Sequence, residues 1–175
     1  PLFRRIDARV GVVYASMVRT SVFAHPLARM EIGKASVARF EQVFAAMFVQ
    51  AVELPDWPAW REAGTELDGV IELQRIDVEF QLGNDVGGPY LELLYGRSAA
   101  RPDVIGIAYR LCLYEPGGVE IQCWSPSARV SHQRGPGDCL DMRACAAPQT
   151  EAAMREAIAL FMVEAGNDPR LASWA

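Results

Sequence analysis

Residues 36–52 read SVARFEQVFAAMFVQAV, and the spacing of their apolar members sets the architecture. Val37, Phe40, Phe44, Met47, Phe48 and Ala51 recur three and four apart, which gathers them on one broad stripe of a helix running near Ser36 to Val52. Arg39, Glu41, Gln42 and Gln50 lie mainly on the other side, as on a helix packed against a sheet. A second stripe of the same period, Met154, Ala157, Ile158, Phe161 and Ala165, marks a helix from Glu151 to Ala165, with Thr150 placed to cap it and Gly166-Asn167 to end it. Asp168-Pro169 then reads as a fresh cap followed by proline in a first helical turn, with Trp174 tucked underneath.

Between and before these helices the period changes from 3.6 to two. RVGVVY at residues 9–14 is a β-branched run of the kind that forms a buried strand. From Met17 to Ile32 the pattern is broken by His25-Pro26, so a loop or a short ragged hairpin is expected. LDGVIELQRIDVEFQL at residues 67–82 alternates strongly but changes phase. Ile71 and Leu73 point one way by parity, whereas Ile76, Val78, Phe80 and Leu82 carry the opposite parity, and a period of two requires an inserted residue to do this. A β-bulge near Gln74 and Arg75 is predicted. Val104 to Tyr114 resumes the alternation, with Ile105, Ile107, Tyr109, Leu111 and Leu113 on one face and Ala108, Arg110 and Cys112 on the other. At the Glu115-Pro116-Gly117-Gly118 turn, a three-residue loop would pair Leu113 with Ile121 and Leu111 with Cys123, place Gly118 in the left-handed region, and leave Cys112 and Cys123 as free thiols on opposite faces. The return strand, Val119 to about His132, contains Pro126, which must sit at an edge or a bulge because it cannot donate to a ladder.

The fold expected from this order is α+β: a two-layer sandwich in which a mixed, mostly antiparallel sheet of four or more strands carries two helices on one face, in the order β-α-β-β-β-α, as a single domain spanning residues 1–175. The first strand and the strand after the first helix should run parallel, joined by a crossover.

Composition narrows the function classes. Apolar residues are 51% and charged residues 22%, a balance that favours a packed core over disorder. The formal net charge is -5, which offers no field for nucleic acid or an anionic surface. His25 and His132 are not spaced with cysteine or carboxylate as a metal site would be, Glu72, Asp77 and Glu79 alternate along the wet side of one strand, and the glycine pairs lack a strand-to-helix phosphate-loop context. No catalytic residue, metal or cofactor is expected. Candidate partner contacts are Trp57 and Trp60, in the proline-broken segment 54–64, and Tyr90, in the glycine-rich stretch 83–102; exposed, they would offer much contact area at little entropic cost, and folded back they would close one end of the core. Cys139 and Cys145 flank a short Leu-Asp-Met-Arg-Ala loop that could bend to a disulfide, or could remain two free thiols.

RVGVVY, SVARFEQVFAAMF, IAYRLCLYEPGGVEIQCW and AMREAIALFMVEAGNDPRLASW together resemble an uncharacterised family of proteobacterial envelope lipoproteins, similar in layout to the auxiliary lipoproteins of ABC transporters. The likeness touches both helices and three strands. It implies a signal peptide, a lipidated cysteine upstream of Pro1, and a domain that faces the periplasm from the outer membrane, reaching the membrane through that anchor. The expected function is non-enzymatic binding of an envelope protein or lipid, through exposed strand edges or the loops around Trp57 and Tyr90. The alternative is a cytoplasmic small-molecule-binding protein or enzyme with a pocket between sheet and helices, near Tyr109 and Arg110 or a Cys/His pair of Cys123 or Cys139 with His132.

Overall fold

The computed structural model describes residues 5–25, 28–56, 66–81, 102–132 and 142–174. Strand β1 (Ile6–Tyr14) is followed by a helical turn α1 (Ser16–Arg19), a small hairpin of β2 (Phe23–His25) and β3 (Ala28–Met30), and helix α2 (Ile32–Met47). Strands β4 (Phe48–Leu54), β5 (Gly69–Gln81), β6 (Asp103–Tyr114), β7 (Glu120–Trp124) and β8 (Ser127–His132) come next, and helices α3 (Met142–Gly166) and α4 (Pro169–Trp174) close the chain. Six of the strands form one mixed sheet in the order β4-β1-β5-β6-β7, with β8 also paired to β6. β1 runs parallel to both β4 and β5, and the remaining pairs are antiparallel.

One face of this sheet is oily and both long helices sit on it. Ala8, Val10, Val12 and Tyr14 of β1, Ile71 and Leu73 of β5, and the odd-numbered residues Ile105 to Leu113 of β6 share a single buried cluster with Phe40, Phe44 and Met47 of α2 and Met154, Ile158 and Phe161 of α3. Its centre is aromatic. The Phe40 ring lies 5.0 Å from Tyr109, 5.6 Å from Phe44 and 5.8 Å from Phe161, while Trp124 meets Phe161 at 5.6 Å, mostly edge to face as ring quadrupoles prefer. The Tyr109 hydroxyl shares a 2.9 Å hydrogen bond with buried Ser36, and loss of solvent pushes its pKa up to about 12 from 10.0. Arg39 on α2 and Glu151 on α3 form an ion pair between the helices.

The bulge anticipated from the phase change is present: the β5–β6 register shifts between Leu73 and Arg75, so Ile76, Val78 and Phe80 return to the helical side. Gly118 takes a φ of 84°, and Asp168 caps α4 by accepting from the Arg170 amide at 2.9 Å. Trp174 packs half-buried on the core, where a Cβ added at Gly69 would come within 2.7 Å of its ring.

Four expectations are corrected. The first helix does not reach Val52; it ends at Met47, and Phe48–Leu54 is a strand beside β1. Phe48 and Ala51 continue the helical spacing, and a short apolar run cannot separate the two states by period alone. The β6–β7 pairing is not the one that maximises apolar continuity: Cys112 faces Cys123 directly, Leu111 faces Trp124 and Leu113 faces Gln122. The cysteines are therefore joined as a disulfide and not free. Burial of Trp124 against Phe161 and the bond between Gln122 and Asp168, at 2.9 Å, hold this register, and a bulge at Ile121 absorbs the extra residue. Thr150 is not a cap. Helix α3 starts at Met142 and carries Pro148 inside it, and the Thr150 hydroxyl donates back to the Ala146 carbonyl at 2.7 Å. Both residues are buried, and that packing holds the turns which proline alone would weaken.

Candidate functional site

Phe40, Phe44 and Met47 of α2 and Met154, Ile158 and Phe161 of α3 are buried against the sheet. Tyr109 and Arg110, which the alternative reading placed in one pocket, lie on opposite sides of β6: Tyr109 is buried under the helices, and Arg110 is exposed on the open face, donating to Gln74 Oε1 at 3.1 Å. Over β5, β6 and β8 this face is a lattice of polar groups, whereas towards β4 Val13, Leu54 and Val70 form a second, small buried cluster with Leu67. Arg75 pairs with Asp77 at 2.7 Å, Arg129 with Glu79 at 2.6 Å, and Gln74 Nε2 bonds Glu72 at 2.9 Å and the Tyr114 hydroxyl at 2.7 Å. Small residues Gly106, Ala108 and Ser127 leave a shallow trough of about 570 Å³ between these pairs. Its two carboxylates are each held by an arginine, which is how the solvated side of an antiparallel sheet is usually dressed.

Sulfur and carboxylate ligand atoms of Cys112, Glu120 and Cys123 lie within 4.8 Å of one another, but disulfide sulfurs carry no thiolate with which to bind a metal. The same bond removes Cys123 as a nucleophile for His132, which sits on β8 opposite Asp103. His25 belongs to the β2–β3 hairpin. Trp57, Trp60, Tyr90 and Cys139 fall outside the described residues, and Cys145 lies in the first turns of α3.

Exposed strand edges were expected as contacts, but which strand forms the margin of the sheet was not legible in the sequence. At one side, the edge made by β7 and β8 is broken by Pro126, bulged at Ile121 and overlaid by α3 and α4, all devices that blunt an edge. At the other side β4 is a continuous seven-residue strand without proline, and among the described residues no strand lies beyond it. Arg5 clamps its entry, donating to the carbonyls of Phe48 at 2.9 Å and Val49 at 3.2 Å. Val49 is 47% exposed and Val52 37% exposed on this strand. Glu53 is already paired with Arg19, so this strand offers little of the free charge with which edges repel company. The β-branched pair Val49 and Val52, lodged in an otherwise helical spacing and followed by Pro55, was the available signal.

No protein-family model matches this sequence, and no curated protein matches it. Solved structures do resemble the fold. A minor lipoprotein of Acinetobacter baumannii superposes with a TM-score of 0.51 at 7% identity, over 92% of each chain. The rare lipoprotein B of Shewanella oneidensis gives 0.51 at 12% identity, over 94% of this chain and 98% of its own. A Xanthomonas campestris protein gives 0.50 at 11% identity, over 91% of this chain and 85% of its own. At these identities the likeness is one of fold. Among the described residues no helix is long and apolar enough to cross a membrane.

Proposed function

We propose that this chain is the periplasm-facing domain of an envelope lipoprotein, tethered to the outer membrane by a lipid on an upstream cysteine, and that it acts without chemistry of its own by binding a partner protein along β4. The observation that carries the binding reading is the contrast between the two margins of the sheet, one broken by proline and a bulge, the other a continuous strand with exposed valines and no further strand beside it among the described residues. A row of backbone donors and acceptors at such an edge selects an extended segment, which adds as a further strand while alternate side chains supply specificity. The Cys112–Cys123 disulfide supports an oxidising compartment, where such bonds form and persist. The shared fold of the lipoprotein structures supports the same address.

Site-specific photocrosslinking in cells tests this. A benzophenone side chain at Val52 or Val49 is expected to give a discrete crosslinked species, whereas the same group at Val163, which is 59% exposed on α3, gives none. Crosslinks from Val163 as strong as those from β4, or none from β4, would remove the reading.

A further inference from the structure

The disulfide lies beside a carboxylate, and opening the bond turns three neighbouring side chains into a ligand set that the edge-binding reading does not use. Cys112 faces Cys123 directly across β6 and β7, and Tyr114 faces Glu120 further along the same pair of strands. Positions 112 and 114 share one face of β6, so their partners Cys123 and Glu120 share it too. The two sulfurs and a Glu120 carboxylate oxygen lie within 4.8 Å of one another. Cys112 is buried, Cys123 half-buried and Glu120 exposed, so the group opens to solvent on the Glu120 side. Trp124 packs on Phe161 at 5.6 Å, and Gln122 bonds Asp168 at 2.9 Å and Arg170 at 2.7 Å. These contacts hold β7 in register from the helical side, which keeps the two cysteines opposed when the bond between them is open.

The surroundings decide what such a pair does. Of the charged side chains that act on neighbouring Tyr114, two are carboxylates, Glu72 and Glu120, and one is a guanidinium, Arg110. Glu72 also faces Cys112 directly across β5 and β6. Gln74 turns its Oε1 to Cys112 Sγ at 3.5 Å, and Arg110 donates to that same oxygen at 3.1 Å. Carboxylates and a carbonyl oxygen beside two thiols disfavour bare thiolates, which makes the reduced pair a weak nucleophile. A divalent cation removes that cost, because it neutralises both thiolates and the carboxylate together. Two thiolates with one carboxylate suit borderline-soft zinc, whereas magnesium and calcium take oxygen ligands.

We infer that reduction of the Cys112–Cys123 bond opens a zinc site made by these two sulfurs and the Glu120 carboxylate, with water in the fourth position. A dithiol reductant delivers two electrons and two protons to the S–S bond and leaves as its own disulfide. Zn²⁺ then displaces both thiol protons to solvent and is held by two thiolates and one carboxylate oxygen. At about 2.3 Å from the metal, tetrahedral thiolates stand about 3.8 Å apart, within the span that the three ligand atoms already occupy. The site lies at the margin of the sheet away from β4 and stands or falls independently of the edge-binding reading. The test uses the chain carrying Cys139→Ser and Cys145→Ser, reduced by a phosphine that is then removed without oxygen. It is titrated with Zn²⁺ by calorimetry and with Co²⁺ by absorbance, and circular dichroism is recorded throughout. One Zn²⁺ per chain, proton release on binding, and thiolate-to-cobalt charge-transfer absorption are expected from the reduced chain and not from the oxidised one. Glu120→Gln should weaken Zn²⁺ binding by about tenfold or more with native dichroism, since even partners behind a metal ligand are usually worth that much. Cys112→Ser combined with Cys123→Ser should abolish it. Undiminished affinity in Glu120→Gln, equal binding by the oxidised chain, no binding by the reduced chain, or a reduced chain that loses its strand signal would overturn the inference.

Discussion

Replacing Phe40 with alanine is expected to lower the unfolding free energy by about 3–5 kcal/mol, the usual cost of deleting a buried aromatic ring and leaving a cavity. Phe40 is fully buried and touches the rings of Phe44 on its own helix, Tyr109 on β6 and Phe161 on α3. The neighbours cannot collapse into the space without moving a helix or β6. Urea unfolding followed by tryptophan fluorescence measures the loss, with Val163→Ala on exposed α3 as a control expected to stay within about 0.5 kcal/mol. A loss below 1 kcal/mol at Phe40, by the order of magnitude set for surface sites, would mean that the two helices do not share one core with the sheet.

Removing the Cys112–Cys123 crosslink by a double alanine substitution is expected to cost about 2–3 kcal/mol, because the bond closes a short loop, its ends 11 residues apart, and so restrains the unfolded chain only moderately. The loss should centre on the β6–β7 hairpin. That hairpin positions Trp124 against Phe161 and Gln122 against Asp168 and Arg170, so its loosening reaches α4. Chemical reduction of the native protein should reproduce most of the drop, measured in urea at the same pH. A double variant as stable as the parent would mean that the hairpin holds its register without the bond.

The sequence makes the buried side of this fold legible and its margins obscure, for physical reasons. Burial imposes a period, so the stripes on α2 and α3, the alternation on β6 and even the bulge at Gln74 could be read from apolar spacing before any coordinates. Where burial is partial the period weakens. Strand β4 is buried only at Phe48 and Leu54, and its exposed middle carries no alternation that distinguishes strand from helix. The β6–β7 register turned on weighing one bulge and one disulfide against a slightly better apolar match, a comparison that local pattern cannot make because the burial of Trp124 comes from α3, about forty residues further along. The start of α3 was hidden by Pro148, which costs one helical hydrogen bond but not the tertiary packing around Ala146 and Thr150. Edge position is a property of topology and not of composition, so exposed edges could be expected as contacts alongside Trp57, Trp60 and Tyr90, but the particular strand could not be told from sequence.

The proposed envelope address and a hairpin locked in this register meet in one bond. Peptide mapping of the full-length protein from cells that make it, with free thiols alkylated before lysis, is expected to recover Cys112 linked to Cys123 in nearly every molecule. Recovery of both as alkylated free thiols, or of Cys112 and Cys123 bonded to other cysteines, would contradict it.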